Sequence, residues 1–186
     1  MPRAGLARSA VVGAAADLAD EVGYHNLTMG LLAERLGVRT PSLYKHVTSL
    51  ADVQHRIATL AVTQLDDVTR DAIAGWAGRQ ALAALATAFR DYIRHHPGRY
   101  VATIGAPMSG HDDPLYQAGA RLLHTMTAAL RGYCLPSDQT VHALRTLRAT
   151  FHGFATLQAF NGFQRPDDPD ETFHWLIELI DRGLRG

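Results

Sequence analysis

Between Arg39 and His46, side chains that can form hydrogen bonds crowd a short stretch: Arg39, Thr40, Ser42, Tyr44, Lys45 and His46. Arg39, Thr40 and Ser42 suit the edges of bases, with an arginine–guanine pair the strongest single contact. Tyr44, Lys45 and His46 can donate to phosphate oxygens. Pro41 is rigid and has no N–H to offer a base. Thr28 stands at the start of an earlier helix, whose free N–H groups suit an anion such as phosphate. This is the chemistry of a protein that reads double-stranded DNA. Spacing alone leaves a second reading open, because all-helical proteins contain similar corners and Tyr44 could equally be a core side chain.

Such residues must be projected by a helix that stands clear of its neighbours. The segment TMGLLAERLGVRTPSLYKHV, residues 28–47, predicts two short helices joined by a tight turn at Gly37, which supplies positive φ. Ala33 is small where the helices must approach, and Val38 and Leu43 point inward to fix the crossing. This is the pattern of a helix-turn-helix, whose second helix enters the major groove. Thr28 is expected to cap the first helix. Thr40 is expected to cap the second, with Pro41 as its first residue.

The rest of the chain reads as helix throughout, since no stretch alternates with period two. A first helix is expected over 3–22, closed by Gly23. A fourth runs from a Ser49 cap to about Asp71. Further helices follow near 79–95, 97–106, 113–133, 138–161 and 170–184, most with a proline at their start. The expected fold is all-α: a three-helix DNA-binding domain over 1–56, joined by the long fourth helix to a helical bundle over 57–186.

The chain has 186 residues, enough for a substantial core, with 18 basic and 18 acidic side chains in balance. That balance excludes a polybasic chain. Even residues 1–56 carry only Arg3, Arg8, Arg35, Arg39, Lys45 and Arg56 against Asp17, Asp20, Glu21, Glu34 and Asp52. Affinity for DNA must then come from a local patch, from helix ends, and from two copies acting together. A single cysteine, Cys134, excludes a disulfide framework and a multi-cysteine metal site. No run is long and apolar enough to span a membrane. Arg3 and Arg8 before Ala10–Ala16 imitate a weak signal peptide, but the acidic residues that follow and the helical spacing of Ala7, Val11, Ala14, Leu18 and Val22 favour a folded helix. A cytoplasmic location is expected.

The stretch LTMGLLAERLGVRTPSLYKHV, with Leu43-Tyr44 and His46 at its heart, resembles the tetracycline-repressor (TetR) family of bacterial transcription regulators. The resemblance covers about sixty N-terminal residues. It implies a homodimer that binds a palindromic double-stranded DNA operator, usually as a repressor, and releases it when a small-molecule effector enters the C-terminal bundle. It also implies that Thr28, Thr40, Pro41, Ser42, Tyr44, Lys45 and His46 stand where the family contacts DNA. One departure is Leu50, at a place where the family often has a phosphate-gripping lysine. FHGFATLQAFNGFQRPDDPDETFHWLI resembles a C-terminal domain named for a Trp-His-Gly motif. Phe151 stands for the tryptophan, while His152 and Gly153 match.

The last two helices are apolar over a wide arc: Leu144, Leu147, Phe151, Phe154, Ala155 and Leu157, then Phe173, Leu176, Ile177, Ile180 and Leu184. Part of this surface is expected to pair with a second copy as a four-helix interface. A ligand pocket is expected among the middle helices, with His95, Tyr100, His124, Phe151, His152 and Phe163 as candidates. No cofactor, metal or catalytic residue is expected. The ten histidines suggest an alternative, a metal-binding or enzymatic bundle. Yet His95-His96 and His111-Asp112-Asp113 lack ligand spacing, since adjacent residues on a helix point about 100° apart. No nucleophile–base pair stands out either.

Overall fold

A computed structural model describes residues 7–186, so Arg3 and the start expected for the first helix lie outside the described part. Nine α-helices follow in order among the described residues: α1 (Arg8–Val22), α2 (Met29–Arg35), α3 (Thr40–Leu43), α4 (Leu50–Ile73), α5 (Gly78–His95), α6 (Pro97–Val101), α7 (Pro114–Leu130), α8 (Ser137–Ala159) and α9 (Pro169–Arg185). No strand occurs among them, so the chain is all-α as its periodicity predicts. None of these helices is long and apolar enough to cross a membrane. Two compact units divide the chain: residues up to Val62 with His96–Gln117, and Thr63–His95 with Ala118–Gly186.

In the first unit, α1 buries Val11, Ala15, Ala16, Leu18 and Ala19. The three alanines permit very close packing. A Cβ on Gly98 of α6 would fall 1.8 Å from the Ala19 carbonyl oxygen, so only glycine fits there. Arg99, on the next position of α6, is buried and reaches α1. Its Nε donates to Asp20 at 2.7 Å, its Nη2 to Asp17 at 2.6 Å, and its backbone N–H to Asp20 at 2.8 Å. His55 of α4 meets Asp113, the residue before α7, at 2.9 Å. The Asp113 carboxylate also accepts from the Ser109 N–H and hydroxyl and from the Leu115 N–H. Led by the Ser109 N–H, and against burial, these donors and the nearby His55 hold its pKa down to about 2.

The second unit is built on aromatic rings. α5 packs chiefly on α8 and also on α9. Phe89 meets Phe151 at 5.9 Å between centroids, and Phe154 sits 5.0 Å from Phe173 and 4.9 Å from Phe163. The Arg90 guanidinium lies 4.5 Å from the Phe173 ring centre and 5.5 Å from that of Phe154. It pairs with Asp170 and donates to Gln158. A buried hydrogen bond joins Thr125 to Asp66 at 2.6 Å, and a part-buried one joins Tyr133 to Asp181 at 2.6 Å. Cys134 ends a short 3-10 turn with φ of 53° and an exposed side chain.

Several boundaries differ from expectation. The third helix is capped by Arg39, not Thr40, so Pro41 is its second residue. The sixth helix stops at Val101, well short of residue 106, because successive turns replace the helical ladder. The apolar arc of α8 and α9 is mostly intrachain core: Leu144, Leu147, Phe151, Phe154, Ala155, Phe173 and Ile177 are buried, Leu176, Ile180 and Leu184 are half-buried, and Leu157 is exposed. The arc is wide because α5 takes up one side of it.

Candidate nucleic-acid interface

The reading segment is held by local chemistry that the sequence specifies. Thr28 caps α2, its hydroxyl accepting the Leu31 N–H at 3.2 Å. Gly37 then turns the chain with φ of 63°. The Gly37 N–H bonds the Glu34 carbonyl and the Val38 N–H bonds the Ala33 carbonyl, each at 3.0 Å. This pair of bonds closes the helix end as a Schellman motif. α3 is only one turn long, too short to hold itself as a helix. Its position depends on tertiary anchors: Leu43 and Val47, both fully buried. After it, Ser49 caps α4, its hydroxyl accepting the Asp52 N–H at 3.0 Å, while the Asp52 carboxylate accepts the Thr48 N–H at 2.9 Å.

With Leu43 and Val47 pointing in, the intervening polar residues point out. Arg39, Pro41, Tyr44 and Lys45 are exposed, and Thr40, Ser42 and His46 are half-buried. Tyr44 is 54% exposed, which removes the core alternative for this ring. Thr28 is exposed as well. Leu50 is half-buried and brings no charge.

The cations of this unit fall into two sets. Arg35 pairs with Glu21, Arg56 with Asp52 at 2.8 Å, and Arg99 with Asp17 and Asp20. Arg8, Arg39 and Lys45 have no carboxylate partner among the described residues. Arg39 and Lys45 flank α3, and the Nε of Arg8 donates to the His46 carbonyl at 3.0 Å. Among the described residues, a nearly neutral N-terminal region thus gathers its unneutralised positive charge around one short segment. Sequence reasoning passed over Arg8, because its tie to His46 spans 38 positions.

The pocket candidates are dispersed. His95 and His124 are exposed, Phe151 is buried, and His152 and Phe163 are half-buried, all in the second unit; Tyr100 is buried in the first. Burial, with Arg148 nearby, lowers the pKa of His152. Phe163 meets Phe154, and Phe151 meets Phe89. A separate open, apolar groove of about 360 Å³ lies in the second unit between Leu135, Gln139, His142, Ala143, Thr146 and Leu147 on one side and Ile180, Gly183 and Leu184 on the other. Among the described residues no three His, Cys, Asp or Glu side chains converge as a metal ion requires.

Two family models match the chain: "Bacterial regulatory proteins, tetR family" over residues 11–49, and "Tetracyclin repressor-like, C-terminal domain" over residues 82–180. The chain belongs to the TetR family. One relative, the uncharacterised HTH-type transcriptional regulator YobS of Bacillus subtilis, is 32% identical over 98% of this chain and 95% of its own. A solved structure of a protein of unknown function from Rhodococcus sp. RHA1 has the same fold, with a TM-score of 0.83 and 23% identity over 100% of this chain and 98% of that one. So has BioQ, solved with its double-stranded DNA operator, with a TM-score of 0.70 and 22% identity over 97% of this chain and 99% of that one. This TetR-family chain is a transcriptional regulator with an N-terminal DNA-binding helix-turn-helix and a tetracycline-repressor-like C-terminal domain.

Proposed function

We propose that this regulator is a repressor that binds a palindromic operator as a homodimer and is released by a small-molecule effector. In this reading residues 1–56 form the reading head and residues 57–186 the sensing and dimerising part. Arg39, Thr40 and Ser42 read base edges, while Thr28, Tyr44, Lys45 and His46 grip phosphates around the rigid Pro41. The observation that carries the reading is the outward polar side of the Thr40–His46 segment, bracketed by cations that pair with no carboxylate among the described residues. One turn of helix reads few base pairs, so two copies on half-sites about 34–36 Å apart supply the specificity.

Exposed Val141 and Leu157 on α8, and Trp175 and Leu179 on α9, support pairing of two copies through the last two helices. Phe151, His152 and Phe163 remain the pocket candidates nearest the aromatic core, with His95, Tyr100 and His124 outside it. An effector acts only through unequal affinity for DNA-competent and DNA-incompetent states. A cytoplasmic location fits this role.

Selection of bound fragments from random duplex DNA tests the reading, and a recovered palindrome is the expected result. With that duplex, Lys45→Ala should weaken binding and flatten the dependence of log K on log salt by about 1.8, from ~0.9 per subunit. An unchanged slope removes Lys45 from the phosphate contacts. A chain that stays monomeric with operator present overturns the dimer.

A further inference from the structure

Arg39 and Lys45 belong to the reading segment by position, but Arg8 reaches it from α1. Its Nε–H is committed to the His46 carbonyl at 3.0 Å. That carbonyl belongs to the residue whose own N–H closes the turn after α3, donating to the Leu43 carbonyl at 2.8 Å. A guanidinium is planar, so fixing Nε also fixes the direction of its two amino nitrogens. Arg8 is exposed, and no carboxylate approaches it among the described residues. Among the described residues, the other arginines of the first unit show the contrast: apart from Arg39, each is turned onto an acidic side chain. Arg8 therefore holds an oriented, unneutralised guanidinium against the backbone just after exposed Tyr44 and Lys45, and its two amino nitrogens form a fork able to grip a phosphate through two oxygens.

We propose that Arg8 is a phosphate-contacting residue of the DNA complex, aimed by the His46 carbonyl. It then does two things at once: it braces the end of a one-turn helix against α1 and ties that brace to the DNA backbone. This rests on the reading of Thr40–His46 as the DNA-facing segment. The inference adds a contact from a different helix, for which neither the motif nor its spacing gives a signal.

The test uses the full chain and the duplex recovered by selection, titrated at several salt concentrations. Arg8→Gln keeps an N–H donor for the His46 carbonyl and removes the charge. It should lower the salt slope by about 1.8 for a dimer, at ~0.9 per phosphate, and weaken operator and unrelated duplex by similar factors. Arg8→Lys should keep the slope near its original value. An unchanged slope in Arg8→Gln overturns the inference, whether or not affinity falls; a fall at constant slope makes Arg8 a brace alone. If the unaltered protein binds no duplex at any salt, the DNA-facing reading itself fails, and this inference with it.

Discussion

In the first unit α6 packs a glycine onto the backbone of alanine-rich α1 and charged ties hold the contact; the second unit stacks phenylalanines and lays a guanidinium across their faces. In the first, the α1–α6 contact is set by the absence of a side chain. Gly98 lies on the Ala19 carbonyl, and Arg99 reaches two aspartates across that contact. In the second, position is set by large rings whose mutual tilt has several workable solutions. The difference suits the tasks proposed for them. In that reading a segment that matches a groove tolerates little play, whereas a core that accommodates an effector benefits from surfaces able to repack.

Substitutions can break this contrast from either side. Phe151→Ala should have the largest effect, about 3–5 kcal/mol by denaturant unfolding, since the ring is fully buried against Phe89. Amide exchange should rise first in α5 and α8. Gly98→Ala should cost about 3 kcal/mol although it adds one methyl, because the obstacle is backbone. Its exchange signature should appear in α1 and α6. A Gly98→Ala protein of ordinary stability would refute the close-packed account of the first unit.

Acid sharpens the comparison further. The Asp113 carboxyl lies below the ordinary 3.8, at about 2, so its contribution to stability is present above 3.8 and is lost as pH falls through 2. Asp113→Asn should therefore flatten the loss of stability over that window, measured by unfolding at stepped pH. Equal slopes for the two proteins would show that the ties of Asp113 to Ser109, Leu115 and His55 do not hold the loop before α7. The smallest effect belongs to Thr28→Ala, which removes a helix cap worth about 1 kcal/mol and should lower the melting temperature by a few degrees.

What could be read in advance followed from local physics. Thr28, Gly37 and Ser49 act within a few residues of themselves, and a cap or a left-handed turn is specified by the side chain present. The cap of α3 was misassigned because Thr40 and Arg39 both precede Pro41, and only the backbone decides between them. The Arg99–Asp17–Asp20 and Arg8–His46 ties were invisible because they join residues distant in sequence. The apolar arc on α8 and α9 was legible as apolar, but periodicity does not say which neighbour covers it, and much of it is covered by α5. The proposed interface residues from Arg39 to His46 were named from residue type, and the structure places Arg39, Pro41, Tyr44 and Lys45 at the surface. Which cations stay unneutralised depended on where every carboxylate went.

The exposed sulfur of Cys134 offers a practical handle. It is the sequence's single thiol, sits in a left-handed turn, and has a weak contact to the Arg131 carbonyl at 3.9 Å. A maleimide or nitroxide reagent would therefore mark each polypeptide once, without mutagenesis. Pulsed electron resonance between two such marks would yield one distance distribution for an assembled pair and none for isolated copies, and would follow any rearrangement as candidate compounds are added.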